Sequence, residues 1–103
     1  MVARIATFEG VDVQEVERTI GEAEARIRPI VEGMAGFRGF SELLSPDGKV
    51  LSITLFDSAE NAEAAEQTFD VEMPKQLGNL FESWAGHRVS VDRYRVVAGS
   101  LGG

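Results

Sequence analysis

The 103 residues suffice for one hydrophobic core but not for two, and a composition of 44% hydrophobic and 26% charged residues favours neither a disordered nor a fibrous class. Seventeen acids against ten bases, a formal charge of −7, leave no general basic face for nucleic acid, and the absence of cysteine removes disulfides, thiolate ligands and a cysteine nucleophile. No apolar run approaches the ~20 residues of a membrane span, and Met1-Val2-Ala3-Arg4-Ile5 puts no basic region ahead of an apolar stretch, so no membrane and no signal peptide are expected, with the cytoplasm as the default.

Residues 2–8 (VARIATF) predict a first strand. Apolar side chains fall on both parities, which implies that both faces of its sheet are covered at least in part. From Asp12 the period becomes helical: Asp12 is a good N-cap, Glu15 can complete a capping box, and Val13, Val16, Ile20, Ala23, Ile27, Ile30 and Met34 hold one stripe inward. Pro29 removes a donor inside that helix, so the helix is expected to kink or to restart there, and Gly33 and Gly36 end it. The charges on the opposite face, including Glu22 and Glu24, diverge at i, i+2 spacing and read as a solvated surface.

The middle of the chain is a hairpin. Residues 40–44 and 50–56 are rich in aromatic, β-branched and leucine side chains, and Ser45-Pro46-Asp47-Gly48 supplies the turn. Asp57 or Ser58 then caps a second helix of about three turns with a narrow alanine face (Ala59, Ala62, Ala65). Residues 70–84 predict a short helix with Pro74 in its first turn and Met73, Leu77, Leu80, Phe81 and Trp84 at helical spacing. Residues 87–97 form the last strand, where the valines and Tyr94 change parity; a bulge near Asp92-Arg93 would reconcile them. Arg88, Arg93 and Arg95, the nearest thing to a basic patch, read as a solvated strand edge. Residues 98–103, ending in Gly102-Gly103, have linker composition and predict a flexible C-terminal tail after a single domain over 1–97.

Strand, helix, strand, then strand, helix, strand, joined by a tight hairpin, gives an α+β fold: the ferredoxin-like βαββαβ arrangement, a four-stranded antiparallel sheet with its main helices on one face. The uncovered face would be too apolar for a monomer, so a homodimer through the sheet face is expected.

Gly36-Phe37-Arg38-Gly39-Phe40 entering the second strand, the Ser45 to Gly48 hairpin, the Val50 to Ser58 strand leading into a small-residue helix and the closing strand together resemble the antibiotic biosynthesis monooxygenase-like family of the dimeric α/β-barrel superfamily. That resemblance implies a small aromatic or quinone-like substrate held between helices and sheet and oxidised by O₂ without metal or flavin, the substrate's own enolate or phenolate supplying electrons. The protein would remove a proton and stabilise the anion. The candidates are His87 as catalytic base, Trp84 and Phe56 as walls, and Tyr94 or Arg38 as donors to the substrate; no cofactor and no metal are expected. The haem-degrading branch of the same superfamily uses a histidine on the second-half helix, where this chain has alanines. With one histidine, no G-x-S-x-G and no H-E-x-x-H, triad hydrolysis and zinc chemistry have no constellation to rest on. A non-catalytic dimeric barrel that binds a small ligand, or is associated with stress response, is the alternative from a different class.

Overall fold

Seven residues of mixed burial, Val2–Phe8, form β1, the strand on which both neighbours are built. The computed structural model describes residues 1–80 and 87–99. The other elements are α1 (Val13–Glu32), β2 (Phe37–Leu44), β3 (Val50–Phe56), α2 (Ala59–Ala64), a π-helical turn (Thr68–Glu72), α3 (Met73–Leu77) and β4 (Arg88–Arg95). The strands lie in the order β2-β3-β1-β4, every pair antiparallel. This is the expected ferredoxin-like arrangement, with the helices on one face. No helix among the described residues is long and apolar enough to cross a membrane.

Strand alternation divides the sheet into two faces. Arg4, Ala6 and Phe8 of β1 point to the helices with Val50, Ser52, Thr54 and Phe56 of β3 and with Phe40, Glu42 and Leu44 of β2. Ile5, Leu51, Ile53, Leu55 and Leu43 occupy the opposite, outer face, and Leu43 is half exposed there.

Helix α1 starts where its cap directs: the Asp12 carboxylate accepts the Glu15 N–H at 3.2 Å. The Glu15 carboxylate reaches forward to Arg18 at 2.6 Å rather than back to the cap. Val16, Thr19, Ala23, Ile27 and Val31 are buried, whereas Glu22–Arg26 and Glu24–Arg28 pair on the solvent side. The helix does not restart at Pro29. Pro29 lies exposed in the last turns, so the carbonyl of exposed Ala25 that loses its partner can turn to water.

The second half departs from expectation in three places. β2 begins at Phe37, three residues ahead of the predicted 40–44, because a bulge between Phe37 and Gly39 lets Phe37 pair with Phe56. The expected three-turn helix stops at Ala64, and the chain continues through the π-helical turn into α3, with Pro74 in its first turn as expected. A π turn adds a residue per turn and re-aims the helix beyond it. Met73 and Leu77 thereby pack against Ala23, Ile27 and Val31 of α1. The irregularity in β4 is at Val89, between the Ser90–Thr7 and Arg88–Phe8 pairs, and not near Asp92-Arg93. Trp84 and most of the predicted tail (100–103) lie outside the described residues.

Two glycines are required by geometry. Gly48 closes the hairpin at φ +87°, its N–H donating to the Ser45 carbonyl at 3.2 Å while its own carbonyl takes the Val11 N–H at 3.1 Å, which fastens the β1–α1 loop. Gly36 sits at φ +74°, and a Cβ there would fall 2.2 Å from Asp57 Oδ1 and 2.3 Å from Asn61 Nδ2. Those atoms belong to the Asp57–Asn61 hydrogen bond at the start of α2. Gly36→Ala is therefore expected to destabilise the fold by at least about 1–2 kcal/mol from the left-handed backbone alone, with more from displacing that bond. Urea unfolding of the two proteins measures it, and an unchanged midpoint would count against this packing.

Candidate functional site

Between the helices and the inner face of the sheet is a cavity of about 50 Å³. Its walls are apolar on the helix side, with Ile27, Val31, Phe69, Met73 and Leu77, and mixed on the sheet side, where Ala6, Phe8 and Phe40 alternate with Arg4, Glu42, Ser52 and Thr54. That volume holds about one or two waters. An aromatic ring needs the walls to move or a second space to share.

Arg4 lies mid-strand on β1 with 2% of its surface exposed. A guanidinium there must be answered from the protein, and the segment after α2 answers it. Arg4 Nε donates to Glu66 Oε1 at 2.7 Å and Nη2 donates to Oε2 at 3.2 Å, a two-pronged pair. The Phe69 ring stacks on the guanidinium at 3.8 Å. Glu66 and Phe69 are three residues apart on a helical segment and so share a face.

Glu42 is the second charged wall, half-buried as a residue with its Oε2 atom enclosed. It stands opposite Ser52 in the β2–β3 register, and the Ser52 hydroxyl donates to Glu42 Oε1 at 2.8 Å. Oε2 is buried and has no hydrogen-bond partner among the described residues. Burial pushes the carboxyl up to about 7, and the Ser52 hydrogen bond and the nearby Arg4 charge offset this only in part. The result is an acid that changes state near neutral pH inside an apolar cavity.

Glu42 and Phe40 are also walls of an outer groove of about 280 Å³ between α1 and β2, which Ile20, Gly21, Glu24 and Arg28 complete. At Gly21 a Cβ would meet no atom within 4 Å, so the groove is open at that point. Arg28 is held by Glu24 and by Glu32, and its guanidinium lies 5.3 Å from the centre of the Phe40 ring. At the far side Arg88 of β4 reaches the cavity wall and pairs with Asp70 at 3.1 Å.

Of the residues singled out from the sequence, Trp84 lies outside the described residues, and the other four are not brought together. His87 is exposed in the turn before β4, where its carbonyl accepts the Glu9 N–H at 3.0 Å; its neighbour Arg88, and not His87 itself, is a cavity wall. Phe56 is 0% exposed, enclosed with Ala62 and Ala65 away from the cavity. Tyr94 is 57% exposed and pairs with Ala3 on the outer face, while Arg38 lines an apolar groove of about 340 Å³ on that same face. Arg93 and Arg95 are exposed on an edge strand. Sequence reasoning missed Arg4, Glu66, Glu42 and Ser52. A signal existed for two of them: Arg4 interrupts an apolar strand, and Glu42 shares parity with Phe40 and Leu44. Among the described residues no group of His, Asp and Glu is arranged to hold a metal ion.

No family model matches the chain, and no curated protein matches its sequence. Solved structures do share its fold. A monooxygenase of Streptomyces coelicolor, solved with nanaomycin D, superposes with a TM-score of 0.71 at 16% identity over 99% of this chain and 92% of that one. A Bordetella bronchiseptica protein named for the antibiotic biosynthesis monooxygenases gives 0.69 at 17% identity over 94% and 97%. The haem degrader MhuD of Mycobacterium tuberculosis, solved with two haems in its active site, gives 0.65 at 21% identity over 97% and 99%. The likeness is one of fold, and it supports the resemblance to the antibiotic biosynthesis monooxygenase-like family. Helix α2 and the segment through α3 contain no histidine, so this chain offers no axial ligand where the haem branch was expected to place one.

The Glu42 carboxyl makes stability depend on pH. Its native pKa of about 7 lies above the ordinary 4.5, so across that window the folded protein keeps a proton that the unfolded chain has lost. Stability is therefore highest below the window and falls as pH rises through it, by up to about 3 kcal/mol. Denaturation at pH 5 and pH 8 is expected to show this loss in the native protein and a much flatter profile in Glu42→Gln. Equal slopes in both would remove Glu42 as its source.

Proposed function

We propose that this chain is a cofactor-independent monooxygenase of small phenolic or quinone-like aromatics, working as a homodimer. The observation that carries the reading is Glu42: a carboxyl near neutral pKa, with one oxygen unengaged, in a cavity with apolar walls and a buried cation. A general base is most effective when its pKa lies near the operating pH. The fold neighbour solved with nanaomycin D supports the same ligand class.

In this reading a phenol hydroxyl passes its proton to Glu42 Oε2. The resulting phenolate lies beside the Arg4 guanidinium, which retains donors beyond the two that Glu66 engages. The phenolate gives an electron to O₂, the two radicals join at a ring carbon bearing hydrogen, and water is lost. The balance is phenol plus O₂ to quinone plus water: the ring C–H becomes C=O, one oxygen atom stays, and the other leaves with the two hydrogens. His87, outside the cavity wall, has no step here.

Oxygen uptake with 1-naphthol and anthrone tests the reaction on the native protein, Glu42→Gln and His87→Ala. Loss of the base is expected to lower the rate about 100-fold or more, and His87→Ala should leave it nearly unchanged. A His87→Ala loss as large as that of Glu42→Gln would return the proton transfer to His87. Uptake no greater than buffer in the native protein would leave a non-catalytic ligand-binding protein, a reading that the small volume of the cavity favours over turnover.

The dimer rests on the outer face of the sheet, where half-buried Ile5, Leu51 and Ile53 flank buried Leu55 in an apolar surface that no helix among the described residues covers. Two such faces can cover each other about a twofold axis. Light scattering at micromolar concentration is expected to give twice the chain mass for the native protein and the chain mass for Ile53→Arg. A native monomer would sink the proposed assembly.

A further inference from the structure

We propose that Glu42, reached through the groove between α1 and β2, recognises the ligand by alternating hydrogen-bond polarity: as a carboxylate it accepts from a phenol, and as a carboxylic acid it donates to a quinone carbonyl. This rests on reading the cavity as an aromatic site, but not on turnover.

The geometry supports it in three ways. First, Ser52 occupies Oε1 of Glu42, and Oε2, buried without a hydrogen-bond partner among the described residues, is the oxygen left for a ligand. A ligand therefore meets a single oxygen, whose role as donor or acceptor is set by protonation. Second, the polar atoms around that oxygen do not level the two states. Thr54 and Ser52 are neutral, and Arg4 is bound to Glu66. From α1, Glu24 and Arg28 flank the groove as an ion pair; from β4, Arg88 is paired with Asp70. Among the described residues, the charges named here each have an ion partner, while Glu42 has the Ser52 hydroxyl and only a partial offset from Arg4. Third, Phe40 and Glu42 line both the cavity and the outer groove, so displacing these two side chains, and not the helix layer, would let a flat bicyclic ring in the groove bring its oxygen to Oε2.

The same carboxyl then reads both ends of the proposed reaction. It accepts the proton from the phenol and returns it to the departing water; protonated again from solvent, it faces the new carbonyl as a donor. Product leaves when the carboxyl ionises again, since a carboxylate facing a carbonyl oxygen repels it. An anionic ligand, such as an aromatic carboxylate, is disfavoured above neutral pH for the same reason.

Binding of 1-naphthol and of 1,4-naphthoquinone, measured separately by tryptophan fluorescence without oxygen at about pH 5.5 and about pH 8.5, tests this; a phenol titrates near 10 and stays neutral throughout. The expected result is that 1-naphthol binds about tenfold more tightly at the higher pH and naphthoquinone about tenfold more weakly, with both dependences lost in Glu42→Gln. Ser52→Ala should move the crossover to higher pH, because the hydroxyl that lowers the carboxyl is gone; it also provides the test if Glu42→Gln fails to fold. Gly21→Leu should weaken both ligands while leaving the helix at least as stable, since leucine is the better helix former. Parallel pH dependence for the two ligands, dependence unchanged in Glu42→Gln, or no binding of either ligand at either pH would overturn the proposal. Opposite dependences without any oxygen uptake would uphold it and refute the oxygenase reading instead.

Discussion

Much of this molecule is shaped by one ionised group in the wrong place for water. Arg4 sits at the middle of the central strand with hydrogen-bonded neighbours on both sides, so its charge cannot escape along the sheet. The compensation has to come from the layer above. Glu66 and Phe69 supply it, and fixing those two fixes the path of the chain from α2 into the π-helical turn. Breaking such a pair by removing one partner typically costs about 3–5 kcal/mol, and the solvent reaching Glu66, 31% exposed, puts this pair toward the low end. The arrangement also sets where α3 lies, because Met73 and Leu77 come directly after and close the cavity against α1.

That pairing has a second effect on the chemistry. With Arg4 committed to Glu66, its charge only partly offsets the burial of Glu42. Had Arg4 bonded Glu42 directly, the carboxyl would have stayed well below neutral and been a poor proton acceptor. The division of partners, Arg4 with Glu66 and Glu42 with the weaker Ser52, is what leaves a titratable group in the cavity. Two partly buried acids thus play different parts: one neutralises a cation and the other remains available.

The fold was legible in the sequence where local rules and periodicity agree. The Asp12 cap, the helical stripe of α1, the Ser45 to Gly48 turn and the order of strands all express preferences of neighbouring residues, and all appear as expected. The site was legible only in part. Counting outward from the hairpin turn pairs Leu44 with Val50 and Glu42 with Ser52, so an inward carboxyl facing a hydroxyl could have been read from parity alone. Glu66 could not, because its meeting with Arg4 spans 62 residues and depends on a π-helical turn that no local pattern announces. His87, Tyr94 and Arg38 are conspicuous by their side-chain chemistry, but register decides where they lie, and it leaves all three away from the cavity.

Register is decided on the two edge strands by one bulged residue each. Because side chains alternate, an extra residue exchanges the faces of everything beyond it. In β2 the bulge leaves Arg38 outside and turns Phe37 inward to pack beside Phe40; without it Arg38 would face Phe56 and put a guanidinium into the core. In β4 the bulge does the reverse. Val89, 58% exposed, is set aside, and Arg88 comes opposite Phe8 on the cavity side, where it meets Asp70. An unbulged β4 would present Val89 to the cavity and Arg88 to the outer face, among the leucines and isoleucines. Two single-residue irregularities thus sort the arginines of the edge strands, sending Arg38 to the outer face, where it borders the apolar groove, and Arg88 to the cavity wall. Sequence patterning could register the conflict of parities in β4, but not which residue yields. That is settled by the strand alongside, where Thr7 and Phe8 must keep their own faces.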